Sequence, residues 1–186
     1  MLSLAFVATL TAACADPPDR EIQQAQTAID AAKAAGADRY SPDEFNAAQE
    51  ALKQAHDAVG QRDYRLALNH ALDAREKAQD AVKLAADRKV AARGDADRAV
   101  AAMMQSMTEA RSRLKIAENA RAAARTLATA RTTISAVEPA VQEARAARER
   151  GDFLAAIETA KDATSRLQGV ARDLEAAAPP SSRRRR

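Results

Sequence analysis

The chain has 186 residues, about a quarter of them alanine, with 3% aromatic residues, five glycines and no tryptophan. That mixture points to long helices and excludes a β-sandwich or doubly wound sheet, which need more Val, Ile, aromatic and turn-glycine residues. The net charge of +3 conceals a segregation: residues 16–60 carry four basic against nine acidic side chains, residues 100–131 carry six against two, and the last four residues, Arg183 to Arg186, are all basic.

Residues Leu2 to Ala13 are apolar or small and uncharged. The run is too short to span a bilayer and has the length of a signal-peptide apolar region. It ends in Leu10-Thr11-Ala12-Ala13-Cys14, and a polar spacer, Asp16-Pro17-Pro18-Asp19, follows. Cys14 is the only cysteine and so has no internal disulfide partner. Small residues ahead of a cysteine resemble the lipobox of bacterial lipoproteins. The resemblance implies that residues 1–13 are removed as a signal peptide and that Cys14 takes lipid, with 14–18 as a tether. Ala15, in the place where an aspartate would retain such a protein in the inner membrane, implies the periplasmic face of the outer membrane. The other reading is a cysteine buried in an apolar first helix.

From Asp19 the chain reads as successive helices. Ile22, Ala25, Ala28, Ile29, Ala32 and Ala35 step by three and four, and Gly36 ends the pattern. Ser41 is placed to cap a second helix, with Pro42 at its first position and Glu44 completing a capping box. That helix turns Phe45, Ala48, Leu52, Ala55 and Val59 inward and meets Gly60. A third opens at Asp63-Tyr64, with alanines at 67, 71, 74, 78, 81 and 85, a heptad seam made of small residues. The short corner makes these two helices antiparallel neighbours. The pattern returns at 149–163: Asp152, Phe153, Ala156, Ile157, Ala160 and Ala163 align with Asp63, Tyr64, Ala67, Leu68, Ala71 and Ala74. Between the copies, Val100, Met103, Met107, Ala110, Leu114 and Ala117 extend a helical face, and Gly94-Asp95 leaves open whether the preceding helix ends there. Ser135 to Pro139 reads as a break, with Ser135 and Glu138 as a capping box. The fold class expected is all-α: antiparallel helical hairpins with alanine-rich seams, in two related copies at 19–93 and 94–178. Residues 179–186 read as a disordered arginine tail.

Tyr40-Ser41-Pro42-Asp43-Glu44-Phe45-Asn46-Ala47-Ala48, then Asp63-Tyr64-Arg65-Leu66-Ala67 and the alanine ladder, carry a resemblance. They resemble bacterial envelope lipoproteins with the domain of unknown function numbered four-three-nine-eight, over residues 14–90 and more loosely over the second copy. The resemblance implies location and fold and supplies no chemistry. An alanine helix behind an Asp-Tyr corner is also similar to tetratricopeptide hairpins, whose 34-residue period is absent here.

Few residues offer a site. His56 and His70 lie equally far from the Gly60–Asp63 corner, so Asp57, Asn69 or Asp73 could complete a metal site with them; flanking positions beside the seam explain both better. Met103, Met104 and Met107 suit core filling better than copper. Ser41, Ser106 and Ser135 lack a glycine-rich elbow. No cofactor is expected, nor an enzyme. Arg111, Arg113, Lys115, Arg121 and Arg125 form a possible patch for an anionic partner such as lipid headgroups, lipopolysaccharide phosphates or an acidic protein. The expected function is a non-enzymatic structural or interaction module of the envelope, anchored through Cys14, meeting an envelope protein or polymer and no nucleic acid. The alternatives are a tetratricopeptide-like adaptor and a cytoplasmic helical protein binding nucleic acid through its arginine tail.

Overall fold

The computed structural model describes residues 16–177. Those residues are all-α: α1 (Asp19–Ala34), α2 (Ala37–Tyr40), α3 (Pro42–Gly60), α4 (Tyr64–Asn119), α5 (Ala124–Glu149) and α6 (Phe153–Ala177). Two compact units divide between Arg88 and Lys89, inside α4. Gly94 does not interrupt that helix.

In the first unit, α1 buries Ile22, Ala25, Ile29 and Ala32, and α3 buries Phe45, Ala48, Leu52 and Ala55. The expected alanine seam of α4 is fully buried from Ala67 through Ala85, each at 0% exposure. With only a methyl group at each position, a neighbouring helix can approach closely, and dispersion between backbones replaces the area that larger side chains would bury. In the second unit, Val100, Met103, Met107, Ala110 and Ala117 of α4 share a core with Ala130, Ile134 and Val137 of α5 and Leu167, Val170 and Leu174 of α6. Ala96, Ala147 and Ala156 form a smaller cluster at the α5–α6 corner.

The three long-helix corners close alike. At α3–α4, the Asp63 amide donates to the Ala58 carbonyl and Arg62 to Val59. Ala122 and Arg121 repeat these bonds to Ala117 and Glu118 at α4–α5, as do Asp152 and Gly151 to Ala147 and Arg148 at α5–α6. This is the Schellman arrangement, whose C′ residue sits in the left-handed region. The C′ residues are Arg62 (φ 61°), Arg121 (φ 54°) and Gly151 (φ 79°). The α3 terminus therefore turns on Arg62, and Gly60 remains within the last helical turn. Asp63 and Asp152 then cap the next helix, their Oδ1 atoms accepting from the amides of Leu66 (3.0 Å) and Ala155 (3.3 Å).

Two expectations fail. The capping box at Ser41 and Glu44 does not form: Ser41 precedes Pro42 of α3, but its hydroxyl makes no cap bond. The side chain is fully buried and donates to the Ala81 carbonyl of α4 at 2.8 Å, with Ala37 a longer acceptor at 3.3 Å. Glu44 faces Arg88 instead, at 3.3 Å. The break at Ser135–Pro139 is also absent, since α5 runs through Pro139. Ile134 and Val137 before the proline and Ala144 and Ala147 after it are buried, so packing on both sides holds the helix against the loss of one backbone bond.

Glycine substitutions separate helix propensity from corner geometry. Gly94→Ala is expected to raise stability by about 1 kcal/mol, since the new Cβ would meet only the flexible end of Arg98, at 3.4 Å. Gly151→Ala is expected to lower it by about 1 kcal/mol, although its Cβ meets nothing, because φ is +79° there. Ala74→Leu overfills the seam and is expected to cost about 1–3 kcal/mol. Chemical denaturation of the three variants checks the signs.

Candidate functional site

The buried end of the first unit is a polar clamp. Tyr40 ends α2 and is buried at 7% exposure. Arg88 of α4 donates to its carbonyl at 3.2 Å while also facing Glu44 of α3, and Ser41 adds its bond to Ala81. Arg75 of α4 donates to Gln24 of α1 at 2.8 Å. These bonds fix α4 against α1, α2 and α3. Among the described residues, the Tyr40 hydroxyl is the side-chain group buried with no hydrogen-bond partner.

The second unit holds a groove between α4 and α5 of about 760 Å³, floored by Met104, Met107 and Val141 and rimmed by Arg111, Glu138 and Arg145. Arg111 bonds Glu138 across it at 2.6 Å. Pro139 and Ser135 both line it. Pro139 has no amide hydrogen, so the Ser135 carbonyl loses its usual intrahelical donor and can accept from another group. A second groove, of about 620 Å³ between α1 and α4, is lined by Gln23, Thr27, Ala28, Ala31, Arg75 and Val82, among others. Both can receive an extended or helical segment; neither assembles a nucleophile with a base.

The residues singled out from the sequence fall into three groups. Cys14 and Arg183–Arg186 lie outside the described residues. His56 is exposed and His70 half-buried. Among the described residues no group of three or more His, Cys, Asp or Glu side chains is placed to hold a metal ion. Met103 and Met107 are core residues, while Met104 is 44% exposed on the groove. Ser41 is spent on Ala81, Ser106 is buried in α4, and Ser135 is exposed on the groove. The basic run is divided. Arg111 and Arg113, two residues apart, sit on opposite sides of α4; the first pairs with Glu138 and the second with Glu109 and Glu175. Lys115, Arg121 and Arg125 are exposed and have no ion-pair partner among the described residues. Sequence reading missed the groove. Its one signal was a proline at a position where the apolar period continues on both sides.

Alanine-seamed helical units with surface-borne charge define the class of protein. Residues 20–103 match the family described as a domain of unknown function (DUF4398). The match covers α1 to α3 and ends within α4, so α5 and α6, including the second corner that resembles the first, lie outside it. No curated protein and no solved structure matches the chain.

The clamp predicts opposite behaviour for adjacent residues. Ser41→Ala removes the bond to Ala81 and is expected to cost about 1 kcal/mol. Tyr40→Phe removes a buried hydroxyl without a partner and is expected to leave stability unchanged or raised by up to about 1 kcal/mol. Thermal unfolding of the two variants beside the parent checks the contrast.

Proposed function

We propose that the protein is a non-enzymatic lipoprotein of the bacterial envelope, held on the periplasmic side of the outer membrane through lipid on Cys14. It acts there as a structural or interaction module. The observation that carries the module reading is the division of labour in the fold. The core is mostly alanine and aliphatic, with Tyr40, Phe45, Met103 and Met107 among it and Ser41 and Ser106 the buried polar residues among the described ones, and the charged side chains lie outside it. Such a body presents surfaces and ion pairs to partners. The address rests on the sequence around Cys14, where an apolar run stops at the one thiol and a polar, proline-containing spacer begins.

The groove between α4 and α5 favours a second reading, an adaptor that holds a peptide segment, since Met104 and Met107 give it an adaptable apolar floor and the Ser135 carbonyl lacks the amide donor that a residue other than Pro139 would supply. Photocrosslinking from position 142 in the groove would yield one defined peptide adduct under the adaptor reading and none under the first.

Intact mass of the protein from its native host tests the address. Cleavage before Cys14 with added acyl mass is expected, and Cys14→Ser should stay unacylated and leave the membrane fraction. A full-length, unmodified parent chain in the cytoplasm would overturn the reading.

A further inference from the structure

We propose that the α4–α5 corner is a docking surface for an anionic lipid membrane, distinct from any anchorage at Cys14. Between residues 115 and 125 the chain places Lys115, Arg121 and Arg125 on the surface with no ion-pair partner among the described residues. The single acidic side chain in that stretch, Glu118, is held by Arg131 through bonds of 3.0 and 2.6 Å. Asp173 of α6 shares a cleft with Arg125 and has no ion-pair partner among the described residues. The stretch stays net positive, with three unpaired cations against the one unpaired carboxylate of Asp173.

One further feature selects the partner. Ile116, beside Lys115, is 55% exposed, and the rest of the corner is largely alanine. An aliphatic side chain among unpaired cations is what an anionic bilayer surface accepts, since the cations meet headgroup phosphates while the isoleucine enters the interface. A nucleic-acid backbone would use the charges and leave the isoleucine in water. Arg121 is also in the left-handed region, at φ 54°, where the matching α5–α6 position is Gly151. Arg62 holds the same position at the α3–α4 corner, at φ 61°, so this backbone costs stability at Arg121 without itself selecting a partner. The described part of α6 ends against the same region, with Glu175 paired to Arg113 at 3.3 Å, and the sequence continues beyond it to Arg183–Arg186.

The test uses the full chain carrying Cys14→Ser, so that no acyl group contributes and failure of the lipoprotein reading leaves this one intact. Cosedimentation with vesicles of phosphatidylglycerol mixed with phosphatidylcholine, against phosphatidylcholine alone, should show binding only to the anionic vesicles and loss of it at high salt. Lys115→Glu, Arg121→Glu and Arg125→Glu together should lower partitioning at least about tenfold. Lys53→Glu, Arg65→Glu and Lys89→Glu, an equal change of net charge elsewhere, should leave it unchanged. Ile116→Asn should weaken vesicle binding about threefold or more. Arg121→Gly should move two readouts in opposite directions, raising the unfolding temperature while lowering partitioning. Equal losses in the two charge-reversed triples, loss of all binding on deletion of Arg183–Arg186 alone, or equal affinity for duplex DNA with no effect of Ile116→Asn would each overturn the proposal.

Discussion

The closeness of helix to helix is the constraint on which the rest depends. An alanine seam gains little from the area each side chain removes from water, so its stability comes from axes near enough for backbone and methyl groups to touch along their length. Such a seam has little tolerance for misalignment, because no long side chain can bridge a gap. The bonds of Ser41 to Ala81 and Arg75 to Gln24, and the pairing of Arg88 with Glu44, hold register in the first unit. In the second unit Met103, Leu167 and Leu174 return bulk to the core, and the need for polar registration falls.

The corners extend the same logic. A seam pairs correctly only if each helix leaves its predecessor at a fixed angle, and the repeated Schellman bonds with an aspartate cap fix that angle at α3–α4 and α5–α6. The α4–α5 corner has the first half of the device without the second, since Ala123 precedes α5 and makes no side-chain cap. It is also the corner whose surface carries the unpaired cations. The exposed ion pairs elsewhere, such as Lys83 with Asp80, contribute little to stability and chiefly keep the surface soluble.

Local pattern carried much of the fold into view. The buried alanines of α4 follow from their spacing, and the left-handed residue at Gly36 from the end of a periodic run. Pro42 stands at the first position of its helix as its chemistry dictates. What escaped depends on distance along the chain. Ser41 reads locally as a cap, and only the arrival of Ala81 forty residues later turns its hydroxyl inward. Pro139 reads locally as a stop, and only burial against two other helices carries α5 past it. Arg111 and Arg113 read as members of one patch until Glu138 and Glu175 come across to neutralise them. Arg62 and Arg121 gave no sign of their left-handed backbone, because a corner closed by amide-to-carbonyl bonds carries little mark in side-chain type.

A core of methyl groups has a calorimetric consequence. The heat-capacity increment of unfolding tracks apolar area newly exposed to water, and an alanine exposes less than a leucine or phenylalanine in the same place. The first unit, with Phe45 and Tyr40 its only buried aromatic side chains among the described residues, should therefore have a small increment for its length. A small increment flattens the dependence of folding free energy on temperature. Such a body would keep a modest stability nearly constant over a wide thermal range.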